Sequence, residues 1–180
     1  MQPRDPQERH RAATSLELLF DLCFVVAIAS GAGELHHALA HGQVLGPVIS
    51  YLLVFFAIWW AWMNYTWFAS AYDPDDTLHR LQVMVQMGGV LVLAAGVPQA
   101  FEQHNFRVVT AGYVIMRLAL ISQWLRAARC DQARRTTALR YAGGLFFVQL
   151  GWIALAFLPT TVWAYLFLVM APLELLVPVW

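Results

Sequence analysis

Six long apolar stretches, joined by five short polar connections, constrain this chain more than anything else in it. They cover residues 16–39, 48–68, 81–97, 106–125, 141–158 and 162–180. Crossing ~30 Å of hydrocarbon takes about 20 such residues in a helix. A lipid-exposed backbone must also satisfy its own hydrogen bonds, which leaves helices or a closed barrel. Runs of this length and period predict helices. Composition agrees: 60% of the residues are hydrophobic and 12% charged, about half the ~25% charge of a soluble domain. The mean hydropathy is +0.57. Eleven Phe, eight Trp and six Tyr exclude a disordered chain. Eleven basic residues, all Arg, balance eleven acids, so nothing favours nucleic acid as a partner. The expected class is an all-α polytopic transmembrane bundle of about six spans, with a tail at residues 1–15 and a helical domain over 16–180.

Arginine placement orients the bundle. Cytosolic loops collect Lys and Arg. With the N-terminus inside, Arg4, Arg9, Arg11, Arg80, Arg126, Arg129, Arg134, Arg135 and Arg140 fall on the cytosolic side, and Arg107 alone falls outside. Arg117 is left within the fourth span. The first stretch is not read as a cleaved signal, because Glu17 and Asp21 lie inside its apolar core. Cys23 and Cys130 are two scattered thiols and no disulfide framework. Pro98 is expected to close the third span, and Pro159-Thr160-Thr161 to join the last two as a tight hairpin.

Ionisable residues inside spans are the informative ones, since each costs a few kcal/mol at mid-membrane and usually has a partner or a task. Here they are Glu17, Asp21, Arg117 and Glu174, with Glu34 and Arg80 nearer the ends. Glu17 and Asp21 share one helix face. Counting ~1.5 Å per residue puts Asp21, Arg117 and Glu174 at similar depths. A buried cluster of these three is expected, with Arg80 reaching Glu17. Such a cluster either handles a proton or ion, or only fixes helix packing. Pro172, two residues before Glu174, breaks the last span beside an acid, a pattern shared with many transporter sites. Gln82, Gln86, Asn64 and Gln149 are expected to hydrogen-bond between helices. Glu34, His37 and His41 fall on one stripe with the geometry of a zinc site, but capping a span at the interface is the simpler role, and no metal or cofactor is expected. Asp75 or Asp76 should cap the third helix. The aromatic run Trp59, Trp60, Trp62, Tyr65, Trp67 reads as an interfacial end and a packed interior. Small residues at Ala27/Gly31, Ala29/Gly33, Gly88-Gly89 and Gly143-Gly144 permit close helix approach. The arginine-rich fourth loop is an anchor on the cytosolic side, where anionic headgroups lie. No nucleophile elbow, P-loop or dinucleotide fingerprint occurs, and no enzyme is expected.

One run is more specific. Glu17-Leu18-Leu19-Phe20-Asp21-Leu22-Cys23-Phe24-Val25 resembles the E-L-F-F-D-L-V-F-V signature of the bacterial low temperature requirement A proteins. Trp59-Trp60-Ala61-Trp62, Tyr65-Thr66-Trp67-Phe68, Asp73 and Asp75-Asp76 are similar to that family's second block, as are Arg80, Gln86-Met87 and Met116-Arg117. The resemblance implies a multi-spanning membrane protein and no established molecular activity. Family members are usually about twice as long, with a second half carrying an E-R-F…L-G-E motif that is absent here. The chain therefore looks like an N-terminal half, either a fragment or a short member that forms a homo-oligomer. The functional expectation is an ion- or proton-coupled, transporter-like protein of the bacterial inner membrane, lipid being its partner. Asp21 and Glu17 would handle charge, with Arg117 or Arg80 as counter-ion. The alternative is a structural or stress-adaptation protein.

Overall fold

The computed structural model describes residues 13–72, 74–158 and 160–179, with the side chains of 160–164 and 179 left aside. Among these residues there are six α-helices: α1 (Ser15–Ala40), α2 (Leu45–Ala71), α3 (Thr77–Glu102), α4 (Arg107–Cys130), α5 (Arg135–Ala156) and α6 (Thr160–Leu176). A 3-10 turn follows at Val177–Val179. The arginine tail (Arg4, Arg9, Arg11), Asp73, Pro159 and Trp180 lie outside the described residues.

The helix starts follow from local chemistry. Thr14 opens α1 with a capping box: its hydroxyl accepts from Glu17 N at 3.2 Å, and the Glu17 carboxylate accepts from Thr14 N at 3.0 Å. Asp76 caps α3 by accepting from His79 N at 3.1 Å. Ahead of α4, the Asn105 side chain accepts from Arg107 N at 3.2 Å, although the cap position itself, Phe106, makes no side-chain bond. Gly42, at φ 78°, turns the chain out of α1.

Helices α1 to α5 are each long and apolar enough to cross a membrane. Helix α4 lies between α3 and α5, α1 packs on α3 and α2, and α6 lies against α5. The closest approach is α3 to α4. A Cβ on Gly112 would sit 2.4 Å from Leu93 N and 2.5 Å from Gly89 O, and one on Gly96 would sit 2.7 Å from Val109 N. Backbone meets backbone there, which only glycine permits. The surface is inverted relative to a soluble protein. Leu22, Val25 and Val26 on α1, Phe147 on α5 and Leu168 on α6 are exposed, while Asn64, Gln86, Arg117, Gln123, Gln149 and Glu174 are buried. This is the arrangement of a multi-pass membrane protein.

Three expectations are corrected. Pro98 does not close the third span; α3 runs through it to Glu102, since neighbouring helices can compensate one missing backbone donor in a membrane. The fifth helix starts at Arg135, not at residue 141. The sixth apolar stretch forms a helix of 17 residues, shorter than the other five. Past Leu176 the chain tightens into the 3-10 turn beside Pro178, and Val177 packs on Gly144 within α5. Small residues at Gly33, Gly88 and Gly143 have open space around them, whereas Gly31 lies against the Tyr51 ring.

Candidate functional site

The interior is organised around one carboxylate. Glu174, in the last turn of α6, is 1% exposed, as is Arg117 in α4. Their side chains form a buried ion pair through Arg117 Nη2 and Glu174 Oε1. The same Oε1 accepts from Trp60 Nε1 of α2 at 3.1 Å and from the Tyr113 hydroxyl of α4 at 3.0 Å. Oε2 accepts from Trp152 Nε1 of α5 at 2.8 Å. Arg117 Nη2 also donates to the Tyr113 hydroxyl, and its guanidinium lies 4.7 Å from the Tyr113 ring centroid. Three helices, α2, α4 and α5, thus place donors on one carboxylate of a fourth. A buried charge is tolerable only when it is paired and hydrogen-bonded in this way. The cage is under-filled on its cationic side. Among the described residues, Arg117 Nε and Nη1 have no hydrogen-bond partner, and neither has the Gln149 amide, which is also buried.

The two charges lie about one helical turn apart in depth. Arg117 lies ten residues past the start of α4, about 15 Å along its axis. Glu174 lies fourteen residues past the start of α6, about 21 Å. Both helices start from the same face, so the two charges meet inside the membrane. Beyond the cage, Tyr113 and Trp152 form one wall of an apolar crevice that also involves Phe56 and Phe167.

The other expected members are elsewhere. Asp21 is exposed, and its carboxylate accepts from Trp62 Nε1 at 2.7 Å, away from Arg117. Trp60 and Trp62 are two residues apart, so a helix turns them ~200° from each other, one toward Glu174 and the other toward Asp21. Glu17 is engaged in the cap of α1. Arg80 pairs with Asp75 at 2.7 Å, both well exposed. Glu17 and Arg80 nonetheless line a common cleft of about 500 Å³ on the arginine-rich face, with His79 and Asp75. Glu17 and Asp21 line a second, smaller cleft beside Trp62 and Tyr65.

Between α3 and α4 runs a separate amide chain. Gln82 donates to the Ser122 hydroxyl at 2.8 Å and Gln86 to Gln123 at 2.9 Å, with Gln123 next to His79 Nδ1 at 3.4 Å. Asn64 accepts from the Tyr141 hydroxyl at 2.7 Å. These fulfil the interhelical role expected of Gln82, Gln86 and Asn64; Gln149 does not.

The arginine-rich face is fastened by acids. Arg126 forms an ion pair with Asp76. Asp131 accepts from Ala133 N and Arg134 N at 3.1 and 3.2 Å, closing the α4–α5 turn. The Tyr72 hydroxyl approaches Asp131 at 3.4 Å. Burial and the adjacent Asp131 charge raise the Tyr72 hydroxyl above its usual range, against the lowering effect of Arg134, so it stays protonated near neutral pH. On the opposite face, Glu34, His37, His41, Glu102 and His104 line an open depression of about 710 Å³. His41 Nδ1 lies 2.8 Å from His37 O. Among the described residues, no three His, Cys, Asp or Glu side chains converge to hold a metal.

The sequence pattern of the bacterial low temperature requirement A proteins matches residues 12–180, which includes every element of the cage. The chain belongs to that family. It is also similar to an uncharacterized protein of Rhizobium meliloti (strain 1021), 30% identical over 138 residues. That match covers 76% of this chain and 32% of the relative, so the chain spans about a third of the length of the protein it matches. No solved structure matches. The family resemblance pointed to Glu17, Asp21, Trp60, Trp62 and Arg117. The geometry divides them between the exposed α1 site and the buried α4–α6 cage of this low temperature requirement A protein. Sequence reasoning gave Trp60 only a packing role and passed over Tyr113 and Trp152. The available signal was that an indole N–H or phenol inside a membrane needs an acceptor, and Tyr113 lies four residues, one helical turn, before Arg117.

Proposed function

We propose that this protein is an ion- or proton-coupled, transporter-like protein of the bacterial inner membrane rather than an enzyme, with Glu174 as its charge-handling group and Arg117 as counter-ion. One observation carries this reading: a carboxylate and a guanidinium, each 1% exposed, are held inside a membrane-spanning bundle. Intramembrane ion pairs are expensive and usually mark an ion or proton pathway. Each face carries a depression with acids in its lining, Glu17 beside Arg80 on one and Glu34 with Glu102 on the other, while the ion pair itself is sealed. Protonating Glu174 would leave the Arg117 charge uncompensated in a low-dielectric site. Proton uptake would then require the guanidinium to find water or another anion, and hence α4 or α6 to move. Glu17 and Asp21, first expected at the centre, become lining residues of the cytosolic approach.

The second reading is a protein in which the cage only locks packing. It is favoured by the saturation of Glu174, which accepts from Trp60, Tyr113, Arg117 and Trp152 at once. Reconstitution separates the two. Purified protein in liposomes, under imposed proton and cation gradients, should show a flux read by an internal pH dye. Glu174→Gln should abolish it with helicity retained, and Asp21→Asn should slow it. A silent wild type, with Glu174→Gln folded but less stable, would overturn the transport reading in favour of the packing one.

A further inference from the structure

Two of the arginines on the cytosolic face by charge count are already paired: Arg80 with Asp75, and Arg126 with Asp76. Four others in the same region are not. Arg129 in the last turn of α4, Arg134 at the cap of α5, Arg135 at its first residue and Arg140 five residues further are all exposed. None has a carboxylate partner among the described residues. The nearest acid in sequence, Asp131, is buried and occupied by two backbone N–H groups. Twelve residues of chain therefore carry four guanidiniums against one carboxylate.

Their level is set by what adjoins them. Leu125, one turn before Arg129, and Leu139, next to Arg140, are exposed apolar residues at the ends of α4 and α5. Further along α5, Phe146 and Phe147 are exposed too. Exposed apolar side chains on spanning helices face acyl chains, so the guanidiniums one turn away lie at headgroup depth. A guanidinium there matches the geometry of a phosphodiester through paired N–H donors. We infer that the α4–α5 turn is a docking site for an anionic phospholipid, with Arg129, Arg134, Arg135 and Arg140 on its phosphate and Leu125 and Leu139 against its acyl chains. This site is distinct from the Arg117–Glu174 cage and does not depend on transport.

Native mass spectrometry and vesicle binding of the purified chain test it, with phosphatidylglycerol against phosphatidylcholine. Each arginine near an anionic surface contributes enough to shift binding about fivefold. Arg135→Gln and Arg140→Gln should therefore each weaken phosphatidylglycerol retention about fivefold, and the fourfold Gln variant should abolish the preference. Arg107→Gln, on the opposite face, should leave it intact, and added salt should weaken the wild type. The variants' melting in neutral lipid should match wild type, which separates lost binding from lost folding. Equal retention of both lipids by wild type, or an unchanged fourfold variant, would overturn the inference. Displacement by millimolar inorganic phosphate would overturn it too, since the ligand would then be a free anion.

Discussion

At the residue scale, the interior depends on the balance between two charges. Arg117→Leu leaves Glu174 with three neutral donors and no counter-charge. A buried pair broken on one side typically costs 3–5 kcal/mol, so this variant should melt far below wild type in detergent. Glu174→Gln should do the same, because it strands the guanidinium. The double variant Arg117→Leu/Glu174→Gln should recover much of the loss, since no unpaired charge remains; a double-mutant cycle on thermal unfolding reads the coupling. Trp152→Phe removes one hydrogen bond at 2.8 Å and should cost only about 1 kcal/mol. Much of this was visible in the sequence. Arg117 and Glu174 were recognisable as costly residues within spans, and depth counting placed them together. The exclusion of Asp21 was not visible, because the same depth argument applied to it; only the packing of α1 against α2 and α3 decides that its carboxylate meets Trp62.

At the element scale, glycines set how closely α3 and α4 approach, and apolar and amide side chains pack around that contact. Gly112→Ala would drive a methyl into backbone atoms at 2.4 and 2.5 Å that cannot move independently. Overpacking of this kind costs roughly 1–3 kcal/mol or more. The expected outcome is a strongly destabilised bundle with α3 and α4 forced apart, read as a lower melting temperature. Gly33→Ala, with nothing within 4 Å, should be neutral or slightly stabilising through helix propensity. If both alanines behaved alike, the glycine contact would carry no weight. The existence and order of the helices were legible from hydropathy, and the α3 start from Asp76. Which glycines mattered was not. Gly88-Gly89 drew notice as a pair, yet the contact uses Gly89 with Gly96 and Gly112. Seven residues are close to two helical turns, so Gly89 and Gly96 share a face, but the facing Gly112 lies on another helix and only the crossing reveals it. The length of α6 was also illegible, since its apolar run continues past the point where Val177–Val179 tightens.

At the scale of the whole molecule, the two faces differ in chemistry, and that difference predicts how the bundle sits. Arg126, Arg129, Arg134, Arg135 and Arg140 gather at the α4–α5 turn, while the opposite end carries Glu34, His37, His41, Glu102 and His104 with Arg107. Arginine retention on the cytosolic side would place the Glu17–Arg80 cleft inside and the histidine-lined depression outside. Any coupling by Glu174 would have to connect those two compartments. Cys130 reports on this directly, because it is exposed at the arginine-rich end. In a Cys23→Ala background, a membrane-impermeant maleimide should leave Cys130 unlabelled in intact spheroplasts and label it in inverted vesicles. Gln103→Cys, exposed at the end of α3, in a chain also carrying Cys130→Ala, should give the opposite pattern. Labelling of Cys130 from outside would reverse the orientation. It would set the arginines against the outer leaflet, and with them the anionic-lipid site and the direction of any proton path.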